Sequence, residues 1–427
     1  MSDESGSVLI PFSLIAVVLI ACIGGGVDIG RWLHARSKTV AAMDAAVIAG
    51  ARVLQLDSSN VTGAVEAANR FYIENTKGSL SLVDDTVTFA PNADHTSLRS
   101  SGNAYIPTPL LNVIGIPKLS LLRENSADYI EAKLATGGNS DTSTEIAVML
   151  DVTGSMAGQK ATDMKAAATD LVDIVVSETG ANSVKVALVP FSNSVRLPSS
   201  AVTAARGTPT AKKKVSGKMY HLTDCVVERT GSQRYTDAAP GASTYVMSLY
   251  DRNTYCPLGT SEEVVPLTTS KTTLKAKIAA LTVEGGTAGH IGTAWAWYMI
   301  SPEWNSLWPS NRAAAYGTKV QKIAILMTDG EYNTEYDTNG ISTDELRNNP
   351  ANDISRNQAT ALCAAMKAKG IIVYTVGFDL EGNQAAASTL STCATDSTKY
   401  YNAKDGAGLK QAFRDIALKL STLYLSK

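Results

Sequence analysis

An unbroken apolar run opens the chain. Val8 to Val27 (VLIPFSLIAVVLIACIGGGV) holds 20 residues and no charge, enough to cross a bilayer as a helix. Pro11 sits in its first turn, where a missing N–H does little harm. Gly24, Gly25 and Gly26 come late and are tolerable in a membrane helix. A cleaved signal peptide is the alternative, but the start MSDESG is acidic and no A-x-A site follows the run. Nor is there a prepilin-type site, since Gly6 is followed by S-V-L-I-P. The run is therefore predicted to be an uncleaved single-pass anchor. Beyond Asp28 the pattern stays helical, with Ala41, Ala42, Ala45, Ala46, Ala49 and Ala51 among Met43, Val47, Ile48 and Leu54. The spacing sets residues 1–60 apart as a membrane helix and its continuation.

A second helix is predicted over about Thr62 to Asn75. From Leu80 to Lys133 the alternation becomes strand-like, through Val83, Val87, Phe89 and Tyr105. Residues 61–134 thus read as a small α+β module. Residues 135–144 (ATGGNSDTST) read as a linker. At Glu145 the rhythm changes. Ile146–Leu150, Val184–Phe191, Ile323–Met327 and Ile371–Phe378 are short continuous apolar runs, as in parallel strands buried on both faces. Between them lie helical patterns: Met164, Ala168, Leu171 and Val175, with Gly180 as C-cap, and Ser355 to Lys369. Phe413, Ile416, Leu418 and Leu420 mark a closing helix. Strands alternating with helices over 145–427 predict a doubly wound, Rossmann-like α/β domain whose site lies at the carboxyl ends of its strands. Residues 198–266 are too long for an ordinary loop of such a fold and read as an insertion.

Composition narrows the function more than the fold. The 427 residues carry a net charge of −2, without the footprint of a nucleic-acid binder. The one basic run, Lys212, Lys213 and Lys214, reads as a solvated loop. Four cysteines lie beyond the apolar run: Cys225, Cys256, Cys363 and Cys393. They allow three connectivities and contain no CxxC pair. Sequential pairing, 225–256 and 363–393, fits an oxidising compartment, and buried free thiols fit a cytosolic one. The flanking charges pull the other way. Arg31, Arg36 and Lys38 follow the anchor, which by the positive-inside rule keeps the bulk of the chain in the cytoplasm.

The candidate chemistry lies where strands end. The first α/β strand runs into Asp151-Val-Thr153-Gly-Ser155-Met, and Ile323–Met327 runs into Thr328-Asp329-Gly330. Gly285-Gly286-Thr287 opens a helix between them. Asp151, Thr153, Ser155, Thr287 and Asp329 offer only oxygen, which suits a hard divalent cation: Mg²⁺ first, with Ca²⁺ or Mn²⁺ as alternatives. Hydroxyl ligands add no charge, so such a metal stays electrophilic and can take a carboxylate from a partner. Helix caps and turns are the bland reading of the same residues.

DVTGSM, GGT and TDG, in that order, resemble the metal-ion-dependent adhesion site of von Willebrand factor A (VWA) domains. The match is Asp151 and Ser155 for its first motif, Thr287 for its threonine and Asp329 for its aspartate. Thr153 stands where the family usually has Ser. The whole chain also resembles the TadG-like proteins of Tad/Flp pilus systems. The carriers are the N-terminal GSVLIPFSLIAVVLIACIGGGVDIGRWLHARSKTVAAMDAAVIAGA, CVVER at Cys225, WYMISPEWNSLWP at Trp297 and the final YYNAKDGAGLKQAFRDIALKLSTLYL. The resemblance implies a bacterial inner-membrane anchor, with the bulk of the chain in the periplasm or exported further to the surface. It also implies a role in pilus assembly or surface attachment, with Tad components, pilin-like subunits or a protein presenting an acidic residue as partners.

Other chemistries fit less well. Gly154-Ser-Met-Ala-Gly158-Gln-Lys160 misses the phosphate-loop spacing because Gln159 intervenes. A phosphatase built on Asp151 wants a second Asp where Thr153 stands. The histidines, at 34, 95, 221 and 290, form no HExxH, and His290 reads as an exposed loop residue. Trp295, Trp297, Trp304 and Trp308 read as packing of a helix onto the sheet. The expectation is a binding protein rather than an enzyme. The alternatives are a structural pilus component acting through its N-terminal helix and, last, a metal-dependent hydrolase.

Overall fold

The computed structural model describes residues 9–56, 59–78, 80–92, 95, 97–122, 131–136, 143–176 and 184–426. The chain divides into two compact units, residues 1–135 with 423–427, and residues 136–422.

The first unit is built on α1 (Leu9–Leu56), a helix of 48 residues, and α2 (Val61–Thr76). The alanine-rich pattern explains their pairing. Ala42, Ala46, Ala51, Ala64 and Ala68 are all buried between them, and a Cβ at Gly50 would lie 2.6 Å from the Ala64 carbonyl oxygen. Strands β1 (Thr88–Pro91), β2 (Ser97–Ser101), β3 (Tyr105–Pro107), β4 (Lys118–Ser120) and β5 (Glu131–Thr136) follow. β1, β2, β5 and a C-terminal strand, Ser421–Ser426, form one sheet, and β3 and β4 form a separate hairpin. Phe89 and Leu98 pack onto the helix pair, and the Trp32 indole donates to the Ser120 carbonyl at 2.6 Å. The expected anchor, Val8–Val27, lies largely outside the described residues, because Val8 and most side chains before Ile23 are not among them. Among the described residues no helix is long and apolar enough to cross a membrane.

The second unit carries β6 (Ser143–Asp151), α3 (Gln159–Val175), β7 (Val184–Phe191), β8 (Val195–Arg196), α4 (Ser199–Arg206), β9 (Lys212–Val215), β10 (Lys218–Val226), β11 (Ser248–Asp251), β12 (Val265–Thr268) and α5 (Lys271–Ala280). It continues through α6 (Gly289–Ile300), β13 (Val320–Thr328), α7 (Thr343–Leu346), α8 (Ser355–Ala368), β14 (Ile372–Phe378), α9 (Gln384–Cys393), β15 (Tyr400–Ala403) and α10 (Gly406–Leu420). The main sheet runs β12-β7-β6-β13-β14-β15. All its pairs are parallel except β12 with β7. Helices α3, α5 and α10 group together, and α6, α8 and α9 group together, so both faces of the sheet are covered. That is why its strands read as unbroken apolar runs. The predicted cap at Gly180 and most of the predicted linker fall outside the described residues.

The expected insertion is structured. β10 pairs with β8, β9 and β11 in a small antiparallel sheet. This corrects the solvated loop expected at Lys212–Lys214. The lysines belong to β9, where every second side chain can reach solvent while the backbone pairs with β10. Cys225 and Cys256 are bonded, with 6.1 Å between their Cα atoms, and tie β10 to the loop after β11. Cys363 and Cys393 are bonded, with Cα atoms 5.0 Å apart, and tie α8 to the end of α9. Trp295, Trp297, Trp304 and Trp308 are buried in the main core. Trp304 stacks on Tyr298 with ring centres 4.0 Å apart.

Candidate functional site

Three loops meet at the carboxyl edge of the main sheet. The first follows β6 and is stitched to the loop before α6 by two backbone bonds, Gly154 N–H to the Gly285 carbonyl at 3.0 Å and Glu284 N–H to the Val152 carbonyl at 2.8 Å. The second is that loop itself. Gly285 has φ of +91°, a conformation that favours glycine. The third follows β13. Its Asn333 carboxamide oxygen accepts from Thr287 N–H at 3.2 Å, and Asn333 N–H returns a bond to the Thr287 carbonyl at 2.9 Å.

Four of the five predicted residues form one hydrogen-bonded chain. Thr153 N–H donates to Asp151 Oδ1 at 2.9 Å. Ser155 Oγ donates to Asp329 Oδ1 at 2.7 Å. Since the Ser155 proton is used there, the 2.9 Å contact between Thr153 Oγ1 and Ser155 Oγ has Thr153 as donor. The fifth residue, Thr287, is placed by its backbone, and its hydroxyl bonds to none of the other four among the described residues. Asp151, Thr153, Thr287 and Asp329 are buried, and Ser155 is exposed, so the chain of oxygens reaches the surface at Ser155, between Thr153 and Asp329.

The electrostatics favour a cation. Burial, reinforced by the nearby Asp329 carboxylate, pushes the Asp151 carboxyl up to about 6, against the opposing hydrogen bonds from Thr153 and Thr328. A second positive charge in this cluster would offset that repulsion. Lys160 supplies one already: its ammonium bonds Asp329 Oδ2 at 3.1 Å and lies 3.0 Å from Asp379. Among the described residues no three His, Cys, Asp or Glu side chains are grouped to hold a metal. The cluster has only two carboxylates, with hydroxyls as the other oxygen donors. That donor set fits a hard divalent ion and leaves it electrophilic.

Sequence reasoning missed three participants. Thr328 donates to Asp151 Oδ2 at 2.5 Å, and its position directly before Asp329 was the available signal. Lys160 closes the glycine-bearing segment set aside as a poor phosphate loop. Tyr332 covers Gly289, where a Cβ would collide with its ring.

His290 is a correction. It is buried on α6 rather than exposed in a loop. Its Nδ1 meets Ser355 Oγ at 2.7 Å and its Nε2 meets Glu228. A serine, a histidine and a carboxylate in line suggest acyl chemistry, but the geometry does not support it. Ser355 is fully buried, and the adjoining cavity, lined by Glu228, Arg229 and His290, has a volume of about 10 Å³, room for about one water and none for an acyl substrate. The trio is a buried polar clamp between α6, α8 and the insertion.

The Tad family of Flp pilus-assembly TadE/G-like proteins matches residues 6–53. The von Willebrand factor type A domain family matches residues 253–415. The second match contains Thr287 and Asp329, while Asp151 to Ser155 precede it and join through β6. No curated protein matches the chain. Among solved structures, the vWF domain of the type V pili tip protein Mfa5 from Porphyromonas gingivalis is 15% identical, covers 65% of this chain and 94% of that one, and has a TM-score of 0.39. The pilus adhesin RrgA from Streptococcus pneumoniae is 11% identical, with 80% and 53% covered and a TM-score of 0.40. The pilus adhesin SpaC from Lactobacillus rhamnosus GG, in its open conformation, is 11% identical, with 79% and 35% covered and a TM-score of 0.39. The chain joins a Tad-type N-terminal segment to a von Willebrand factor type A domain, the architecture of TadG-like proteins.

Proposed function

We propose that this protein is a single-pass inner-membrane component of a Tad/Flp pilus system whose VWA domain captures a protein partner through a divalent cation. The anchor is the apolar run Val8–Val27, with the bulk of the chain in the periplasm. Asp151, Thr153, Ser155, Thr287 and Asp329 would hold the cation, with Mg²⁺ preferred over Ca²⁺ or Mn²⁺. When bound, the ion supplies a Lewis-acidic position for a partner's carboxylate. The protein's own residues fix the oxygens through Ser155–Asp329 and Thr328–Asp151 and keep most of them away from water. The single observation that carries this reading is the hydrogen-bonded chain from Asp151 to Asp329, assembled from loops on two different strands. Binding rather than catalysis is the function this supports, and two disulfides suit the oxidising periplasm.

The test is calorimetric titration of Mg²⁺, Mn²⁺ and Ca²⁺ into the detergent-solubilised full chain, beside Asp151→Ala. Saturable binding that disappears in the variant supports the reading. Equal heats from both proteins would remove the metal and leave a structural pilus component acting through its N-terminal helix.

A further inference from the structure

We propose that the tip of the β3–β4 hairpin, residues 109–117, is a second membrane contact that immerses its apolar side chains in the bilayer beside α1. The proposal rests on the reading of α1 as the anchor. The tip reads P-L-L-N-V-I-G-I-P and holds no charge. Leu110, Val113, Ile114 and Ile116 are 37%, 69%, 51% and 40% exposed. Four large apolar side chains clustered on one short tip mark an interaction surface rather than scattered surface residues.

The tip is a built element. Thr108 N–H bonds the Pro117 carbonyl at 3.0 Å, and Thr108 Oγ1 donates to the Ile116 carbonyl at 2.5 Å. A short 3₁₀ turn over Leu111–Ile114 ends at Gly115, whose φ is +88°. Asn112, Gly115 and Ile116 N–H groups bond the Thr108, Asn112 and Leu111 carbonyls at 2.8, 3.0 and 3.1 Å. A tip that satisfies this much of its own backbone can enter an apolar phase without stranding those groups.

Its position points to lipid as the occupant. Asp28, only 1% exposed, accepts from Leu110 and Leu111 N–H at 2.9 and 2.8 Å. A buried carboxylate just past the apolar run thus clamps the tip to α1. The contact needs small residues: a Cβ at Gly24 would lie 2.8 Å from Leu110 Cβ, and one at Gly25 would lie 3.1 Å from Leu111 Cδ2. The exposed tip is therefore continuous with Ile23 and Val27 at the end of the anchor, themselves 69% and 52% exposed. Charges and amphipathic aromatics begin at its edges. Arg31 pairs with Asp28, Lys118 pairs with Asp84, and Arg36 lies over the Trp32 ring. That is the side-chain order of a membrane–water interface.

The test uses the full chain in phosphatidylcholine–phosphatidylglycerol vesicles, labelled with one environment-sensitive fluorophore in a Cys22→Ser background. Labels are placed through Val113→Cys, Ile15→Cys in the anchor and Met219→Cys in the exposed part of β10. Quenching is read with nitroxide-labelled lipid and with aqueous iodide. The expected result is loss of emission to nitroxide lipid at 113 and 15, and to iodide alone at 219. Nitroxide quenching at 15 with iodide quenching at 113 overturns the tip contact and leaves the anchor standing. No nitroxide quenching at 15 overturns the anchor, and the tip contact with it. Shielding of 113 from both quenchers, relieved by diluting protein in lipid, also overturns the proposal and assigns the tip to a second copy of the chain.

Discussion

Ser155 and Asp329, 174 positions apart, share a hydrogen bond of 2.7 Å at the mouth of the VWA site. The bond uses the Ser155 proton on a carboxylate that an adjacent lysine already neutralises in part. An ion taking these oxygens would have to compete with that hydrogen bond.

Lys160 is therefore expected to restrain metal binding. Its ammonium lies 3.1 Å from Asp329 and 28% of the side chain is exposed, so the pair is worth about 1 kcal/mol or less. Lys160→Met should tighten Mg²⁺ binding by up to roughly fivefold, measured by the same calorimetry. Weaker binding in the variant would show instead that the lysine organises the aspartate for the metal.

Asp151 gives the ion-free protein a pH signature. Its carboxyl is held up to about 6 in the fold against an ordinary 3.8, first by burial and then by Asp329. A folded-state value above the unfolded one means that the folded protein holds the proton more tightly. Ionised Asp151 thus costs stability at neutral pH, and the cost disappears as pH falls through 6 towards 4. In EDTA the fold should gain on the order of 2–3 kcal/mol from this group between pH 7.5 and pH 4. The gain is read as the difference in urea unfolding between wild type and Asp151→Asn. A parallel pH response in both proteins would exclude the effect.

The legible parts of this chain are those with local causes. Val184–Phe191 and Ile323–Met327 announce strands because a sheet covered on both faces needs apolar residues at every position. Asp151, Thr153, Ser155 and Asp329 stand out as candidate oxygens because each lies at or within a few residues of such a strand end, whereas Thr287 lies just before α6, far from a strand end, and is marked only by the Gly-Gly-Thr sequence. What stayed hidden depends on distant partners. His290 sits in an apolar helix, and nothing near it indicates Glu228 or Ser355, 62 and 65 positions away. Asp28 reads as the first polar residue after a membrane run, yet it caps backbone N–H groups 82 and 83 positions on. The strand at Lys212–Val215 exists because β10 pairs with it, against the preference of three adjacent lysines.

The buried clamp makes His290 a stability residue. His290→Leu would leave Glu228 buried, with only Asn352 and Gln358 at 3.3 and 3.4 Å to meet one of its oxygens. Loss of about 2–3 kcal/mol is expected, because a buried carboxylate oxygen would be left without its hydrogen-bond partner. Ser355→Ala removes a single neutral hydrogen bond and should cost about 1 kcal/mol. Chemical denaturation of both variants checks the ranking, and equal losses would contradict it.

Glycine at 289 tests whether the helix start and the candidate site's loops are one packed unit. A Cβ there would enter the Tyr332 ring, whereas one at Gly330 meets nothing within 4 Å. Tyr332 is next to Asn333, which holds Thr287 from both sides through its side chain and backbone. Gly289→Ala should therefore cost about 1–3 kcal/mol through overpacking and displace Thr287 as Tyr332 moves. Gly330→Ala should leave unfolding near wild type, within about 0.5 kcal/mol. Paired denaturation and Mg²⁺ titration of the two variants separate the effects. Reduced stability with wild-type Mg²⁺ affinity in Gly289→Ala would show that Tyr332 packs the helix without positioning the threonine.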